Sequence, residues 1–307
     1  GTFWNECRIR ERYKRDCVGK SEEVLFVMKI DMHCHTKEGS IDGKVPIDEY
    51  ITLLKQNGFG GMLVTDHDSY RGYRHWKKFI KGKKHEDFLV LKGIEYDTLD
   101  AGHIIVIMPE TIKLRLLELR GMPIQMLIPI VHNYGGILGP AHPCGEKYMS
   151  FMNAKAYQRN PEILKEFDFM ETFNACESQE VNGKAQKIAD KYGLTGTGGS
   201  DAHRQDCVGL AYTEIPDDIT CESDLITEIM KGTKFECGGT NYTGTTKEKI
   251  GKVNTVLVHS FWVYNKLGGL SKAFQRNTKM KKGFVEHVQN PIRKERTNKV
   301  IKKEDKL

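Results

Sequence analysis

Val24-Leu25-Phe26-Val27-Met28-Lys29-Ile30-Asp31-Met32-His33-Cys34-His35 is an apolar run that ends in two imidazoles one residue apart. Side chains alternate across a strand, so His33 and His35 emerge on one face while Cys34 turns to the other and reads as core. Neutral imidazole is a common ligand for borderline metals, and this is a ligand spacing. The pattern returns downstream: Thr65-Asp66-His67-Asp68, Gly93-Ile94-Glu95, Gly102-His103, Ala141-His142-Pro143 and Ser200-Asp201-Ala202-His203 each follow or interrupt a short hydrophobic run. Six of the eleven histidines thus sit at predicted strand ends beside carboxylates. Gathered around one mouth with Glu95, Asp66 and Asp201, they would be a costly buried cluster unless metal or hydrogen bonds satisfied them.

Outward from these motifs, strand-like and helix-like segments alternate. Strands are expected at residues 30–33, 61–65, 88–95, 103–108, 137–141, 169–173, 194–199 and 210–215, and helices at 46–58, 70–81, 110–121, 123–134, 161–167, 180–192 and 223–231. Pro46 near the first turn and Asn57-Gly58 at the stop bound the first helix. In the second, Trp76, Phe79 and Ile80 read as the inner face. Such alternation argues for an α/β fold with a mainly parallel sheet. The ligand positions fall at or just after the C-terminal ends of at least five strands, and only a closed barrel brings so many ends around one point.

A chain of 307 residues can bury a full core without metal or disulfide support, so stability alone does not require an ion. Eight scattered cysteines without a C-x-x-C pair read as reduced thiols of a cytoplasmic protein. No apolar stretch approaches the roughly 20 residues of a membrane span. The net charge of +6 hides a split: 16 Lys and Arg against 5 Asp and Glu from Thr240 on, leaving 31 against 36 in residues 1–239. The expected organisation is a basic extension over 1–23, a catalytic body over 24–239, and a basic, partly helical or disordered extension over 240–307. An acidic body suits a site that gathers cations; the basic tail is a solvated end or a contact for nucleic acid.

The motifs Asp31-Met32-His33-Cys34-His35-Thr36, Leu63-Val64-Thr65-Asp66-His67-Asp68, Gly93-Ile94-Glu95, His103-Ile104-Ile105-Val106, Ala141-His142-Pro143 and Gly199-Ser200-Asp201-Ala202-His203 resemble, in order, those of the PHP (polymerase and histidinol phosphatase) family over about residues 28–215. The resemblance implies a distorted (β/α)7 barrel, TIM-like, whose mouth binds two or three divalent ions and hydrolyses phosphoesters. His33, His35, Glu95 and Asp201 would hold one ion, and Glu95 would bridge to a second completed by His103 and His142. His67 and His203 would hold a third with Asp42, and Asp66 would be a ligand or orient one. Glu95, Asp201, His203 and His67 are the catalytic candidates, acting through a metal-bridging hydroxide. Mixed His and carboxylate donors fit Mn, Fe or Zn. Lys37, Arg71 and Arg204 are candidate phosphate contacts, while Glu171 and Asn174 lie where a strand should open into the mouth. The expected substrate is a small phosphomonoester, a nucleotide or the 5′ end of a short oligonucleotide. A histidinol-phosphate-type phosphatase and a metal-binding scaffold without turnover are the alternatives.

Overall fold

Continuous β-branched and apolar runs separated by glycine and proline build the sheet. The computed structural model describes residues 12–13, 25–145 and 149–242. The expected basic extension over 240–307 falls outside the described residues from 243 on, as does most of 1–23. The strands are β1 (Arg12–Tyr13), β2 (Leu25–Cys34), β3 (Gly61–Val64), β4 (Leu89–Asp97), β5 (His103–Ile107), β6 (Ile137–Pro140), β7 (Phe169–Asn174), β8 (Thr195–Gly199), β9 (Ala211–Pro216) and β10 (Glu236–Gly239). The α-helices are α1 (Ile47–Gln56), α2 (Arg71–Phe79), α3 (Ile124–Asn133), α4 (Lys155–Arg159), α5 (Gln179–Tyr192) and α6 (Glu222–Lys231).

Seven strands form a curled half-barrel in the order β10-β9-β2-β3-β4-β5-β6, with β1 added to β2. The parallel pair β7-β8 is a separate ladder. It is fastened to both arms of the curl: Asp168 N–H donates to Leu138 O at 3.0 Å, and Asp201 N–H donates to His33 O at 2.8 Å.

The fold is mixed α/β, but one expectation about the sheet requires correction. The sheet is not mainly parallel, because β4-β5, β5-β6, β2-β9 and β9-β10 are all antiparallel. The curled half-barrel is consistent with the expected distorted, TIM-like architecture, although strand pairing alone does not count out seven (β/α) units. The turn from Asp97 to His103 is too short for a crossover, which takes about a dozen residues, so β4 and β5 must form a hairpin. In consequence His103 lies at the start of its strand and still reaches the mouth, because β5 runs the other way.

Residues 110–121 hold only a short 3-10 turn at Arg115–Glu118, not a helix. Lys92 explains part of this. Its ammonium, on a nearly buried β4 residue, donates to the carbonyls of Pro109 (2.9 Å), Ile112 (3.0 Å) and Glu110 (3.4 Å), fixing a loop conformation. Charged hydrogen bonds of this kind contribute about 1.5–3 kcal/mol each when broken singly. Lys92→Met is expected to destabilise the chain by about 2 kcal/mol in urea unfolding; an unchanged midpoint would remove this anchor.

The helices close over the sheet by ordinary means. Gly193 and Gly232 end α5 and α6 in the left-handed conformation, at φ 65° and 77°. Ile47, Tyr50, Ile51 and Leu54 of α1 pack with Met62, Val64 and Cys34, which is core as expected. Ile30, Met32, Leu63, Leu91 and Phe169 pack with Leu225, Ile226 and Ile229 of α6. On α2, Trp76 and Ile80 are buried but Phe79 is 51 % exposed, against expectation. It lies at the helix's last residue, beyond the stripe that Trp76 and Ile80 define, and its ring rests on His75 instead. Among the described residues no helix is long and apolar enough to cross a membrane.

Candidate metal centre

The parallel strands β2, β3 and β4 deliver His33, His35, His67 and Glu95 from adjacent ends. The antiparallel β5 delivers His103 from its start, the β6 end delivers His142, and the β8 end delivers Asp201 and His203. All six imidazoles meet, with neighbouring ring centroids 4.2 to 5.9 Å apart. The chain bends sharply to do this. Asp68, His142 and Asp201 carry left-handed backbone at φ 48°, 29° and 51°, uncommon outside glycine but adopted by Asp and His more readily than by most residues. Gly199 is required for close approach, since a Cβ there would collide with His33.

Glu95 is the hub. Its Oε1 lies 2.8 Å from His103 Nδ1 and 3.1 Å from His142 Nε2. Its Oε2 lies 2.9 Å from His67 Nδ1, 3.3 Å from His35 Nε2 and 3.4 Å from His33 Nε2. Asp201 Oδ1 stands 3.2 Å from His35 Nε2 and 3.7 Å from His33 Nε2. Asp42 Oδ2 reaches His203 Nε2 at 3.2 Å and His67 Nε2 at 3.5 Å, so the loop carrying it closes the group on its open side.

The back of the cluster fixes which nitrogen faces inward. His33 Nδ1 is 2.8 Å from Glu171 Oε1, His35 Nδ1 is 3.1 Å from Ser40 Oγ, and His203 Nδ1 is 2.9 Å from the carbonyl of Asp201. Each acceptor holds the proton on Nδ1 and leaves the Nε2 lone pair aimed at the carboxylates, the usual outer support of a metal-bound histidine. Yet His33 Nε2, His35 Nε2, Glu95 Oε2 and Asp42 Oδ1 are buried without any hydrogen-bond partner. Such convergent, unpartnered donors are what divalent cations satisfy. Three triads have ligand atoms close enough together for an ion: His33, His35 and Asp201; His67, Glu95 and His103; and His35, His67 and His203.

Burial and neighbouring charges pull these groups in opposite directions. Burial drives the His35 imidazole down to about 3, helped by the charges of His203 and His67. Burial would lower His33 likewise, but Glu171, Glu95 and Asp201 outweigh it and hold it well above the usual range. Burial would raise Glu95, but His103, His67 and His33 hold it well below the usual carboxylate range.

Of the other expected residues, Asp66 does not join the cluster. Its carboxylate accepts from Thr36 N–H (2.6 Å), Thr36 Oγ1 and Ser40 Oγ (3.2 Å), so it orders the loop after His35. Gly72 at the start of α2 packs so tightly on Asp66 that a Cβ would collide with it. Lys37 and Arg71 are exposed, and Arg204 is turned to Asp206 at 3.1 Å. Glu171 proves central: beside His33, it accepts the N–H of His142 and the Asn174 side chain. Asn174 also reaches Asp201 Oδ2 at 3.4 Å. Asp31 was not singled out by its sequence, although it lies two residues before His33. It accepts from the N–H of His33 (3.2 Å) and of Ser200 (2.9 Å), and from the Ser200 hydroxyl.

Loss of outer support to a ligand imidazole commonly weakens a metal about 10- to 100-fold. Glu171→Gln should therefore weaken manganese binding by that order in calorimetric titration, with an unchanged circular dichroism spectrum. Unaltered affinity would assign Glu171 a packing role only.

A family model described as PHP domain matches residues 31–197, and one described as PHP-associated matches residues 179–233. Together they span every member of the cluster. No curated protein sequence matches the chain. Among solved structures, PsfC from Pseudomonas syringae is similar with a TM-score of 0.52 and 17 % identity, over 78 % of this chain and 98 % of that one. The lesion-specific endonuclease PfuEndoQ from Pyrococcus furiosus is similar with a TM-score of 0.51 and 14 % identity, over 69 % of this chain and 57 % of that one. At these identities the likeness is one of fold.

Proposed function

Because the chain belongs to the PHP domain family, we propose that its substrate is a small phosphomonoester, a nucleotide or the 5′ end of a short oligonucleotide. The enzyme class, metal-dependent phosphoester hydrolysis, follows from the family. The observation that carries the reading is the convergence of buried, unpartnered His33 Nε2, His35 Nε2 and Glu95 Oε2 on one point.

His33, His35, Asp201 and Glu95 Oε2 form one donor set. In the family's grouping Glu95 Oε1 with His103 and His142 would form a second and His67, His203 and Asp42 a third, with His67 also within one ion's reach of Glu95 and His103. Manganese, iron or zinc ions held there supply Lewis acidity toward phosphoryl oxygens and lower the pKa of water to roughly 7. The chain's own groups do the rest. Glu171, Ser40 and the Asp201 carbonyl orient imidazoles, as their distances allow. Asp66 holds Ser40 in place for His35. His67 and Asp42 are the most accessible members, with side chains 21 % and 31 % exposed, so the phosphoryl group enters past them. Lys37 and Arg71, exposed and close in the chain to His35 and His67, are the candidates for non-reacting phosphoryl oxygens.

The test uses the full chain loaded with manganese, with metal content measured. p-Nitrophenyl phosphate, its bis-ester, a mononucleotide and histidinol phosphate are offered in turn. Turnover of the first or third supports the proposal; preference for histidinol phosphate selects the alternative phosphatase. Stoichiometric metal with no turnover of any ester would leave a metal-binding scaffold.

A further inference from the structure

We propose that the outer face of α2 and the turn behind it hold the sugar–phosphate backbone of a nucleic-acid strand whose scissile phosphoester lies in the metal centre. This rests on the phosphoesterase reading and adds a place where the substrate extends beyond the reacting bond.

Residues 71–84 contain seven Lys and Arg and no Asp or Glu, within a body, residues 1–239, that is otherwise acidic. Arg74 and Lys84 are neutralised by Glu118 and Asp48, each at 2.7 Å. Arg71, Lys77, Lys78, Lys81 and Lys83 are exposed, and none has an ion-pair partner among the described residues. So many cations on one short face repel one another and gain from an external polyanion.

A second observation is independent of charge. Phe79 is 51 % exposed in the middle of these lysines. Its ring lies 4.7 Å from that of His75, and the Lys78 ammonium stands 5.0 Å above it. Cations that track phosphates beside an aromatic ring on which a base can stack are the components of single-strand grooves.

The face starts close to the centre along the chain, Arg71 being four residues after His67. The first turn of α2 packs through Gly72 on Asp66 and Thr36, and Glu118 joins that turn by accepting Tyr70 N–H and pairing with Arg74. From there the nine residues of α2 span about 13 Å at 1.5 Å per residue. An anionic membrane suits the face less well, because a helix lying on lipid needs an apolar stripe and this one offers a single exposed ring.

The full chain is compared with Lys77→Glu/Lys78→Glu/Lys81→Glu and with Phe79→Ala, using fluorescein-labelled oligothymidylate, anisotropy and a salt series. The triple variant is expected to bind at least about tenfold more weakly, and its salt slope to fall by about 2, since each lost phosphate contact on a single strand removes about 0.7. Phe79→Ala is expected to weaken binding several-fold at an unchanged salt slope. Turnover of p-nitrophenyl phosphate should stay within twofold of the parent in both, which also reports correct folding. Equal oligothymidylate affinity in parent and triple variant overturns the proposal, as does loss confined to phosphatidylserine vesicles. A parent that binds the strand through these lysines but hydrolyses no ester would overturn the phosphoesterase reading and leave the surface standing.

Discussion

Glu95→Gln is expected to lower kcat/KM for any phosphoester by at least about a thousandfold, near the upper end for removing one preorganised electrostatic element. The carboxylate is fully buried, and its two oxygens face five imidazoles between them. Glutamine keeps the shape and removes both the charge and one acceptor, turning an amide N–H₂ toward nitrogen lone pairs. Two donor sets lose their shared member at once, so manganese bound per chain should fall with activity. Elemental analysis and initial rates on the same samples check this. A glutamine variant within tenfold of the parent would show that Glu95 is not the hub of the chemistry.

The second large effect is expected at a residue that touches no substrate. Asp31 is completely buried, and burial pushes its carboxyl up to about 6 despite the opposing hydrogen bonds from Ser200 and His33. It ties the backbone of the His33 strand to that of the Asp201 loop, with Tyr50 OH a further 3.4 Å contact. Asp31→Ala strands two buried N–H groups, at about 1–3 kcal/mol each, and opens a small cavity. A loss of about 4 kcal/mol follows, together with weakened metal binding, because the two ligand loops lose register. Asp31→Asn keeps an acceptor for both N–H groups, and the Ser200 and Tyr50 hydroxyls can rotate to accept from its amide. Asparagine should therefore recover most of the stability in urea unfolding. If alanine and asparagine were equally harmless, the tie would have no mechanical weight.

The centre was legible because its residues obey local rules. His33 and His35 share a face by strand alternation, and most of the remaining ligands follow short apolar runs, whereas His103 opens one. Strand direction was less visible, since a run such as His103-Ile104-Ile105-Val106-Ile107 reads the same either way. The clue lay in the loop before it, too short for any crossover. Residues 110–121 carry leucines at helical spacing, but the start of the segment is held by Lys92, a strand residue whose side chain no local pattern could aim. Asp31 gave no signal for a related reason: its partner Ser200 is 169 positions away. Periodicity places Phe79 inward because it fixes a stripe but not its width, and the residue is exposed. Asp42, carried over from the family motif, reaches His67 and His203, and Asp66, expected as a ligand or as a group that orients one, contacts Ser40, which in turn meets His35.

The β4-β5 hairpin gives the centre an uneven folding history. Glu95 and His103 are 8 residues apart, whereas Asp31 and Ser200 meet across 169. Closing the longer loop costs about 3 kcal/mol more chain entropy by the logarithmic rule. The pair within one hairpin is therefore the cheapest part of the pocket to nucleate, and the arm bearing Asp201 and His203 is the last whose arrival the chain can afford. An ion present during refolding should accelerate the late docking of that arm more than the early collapse of the hairpin.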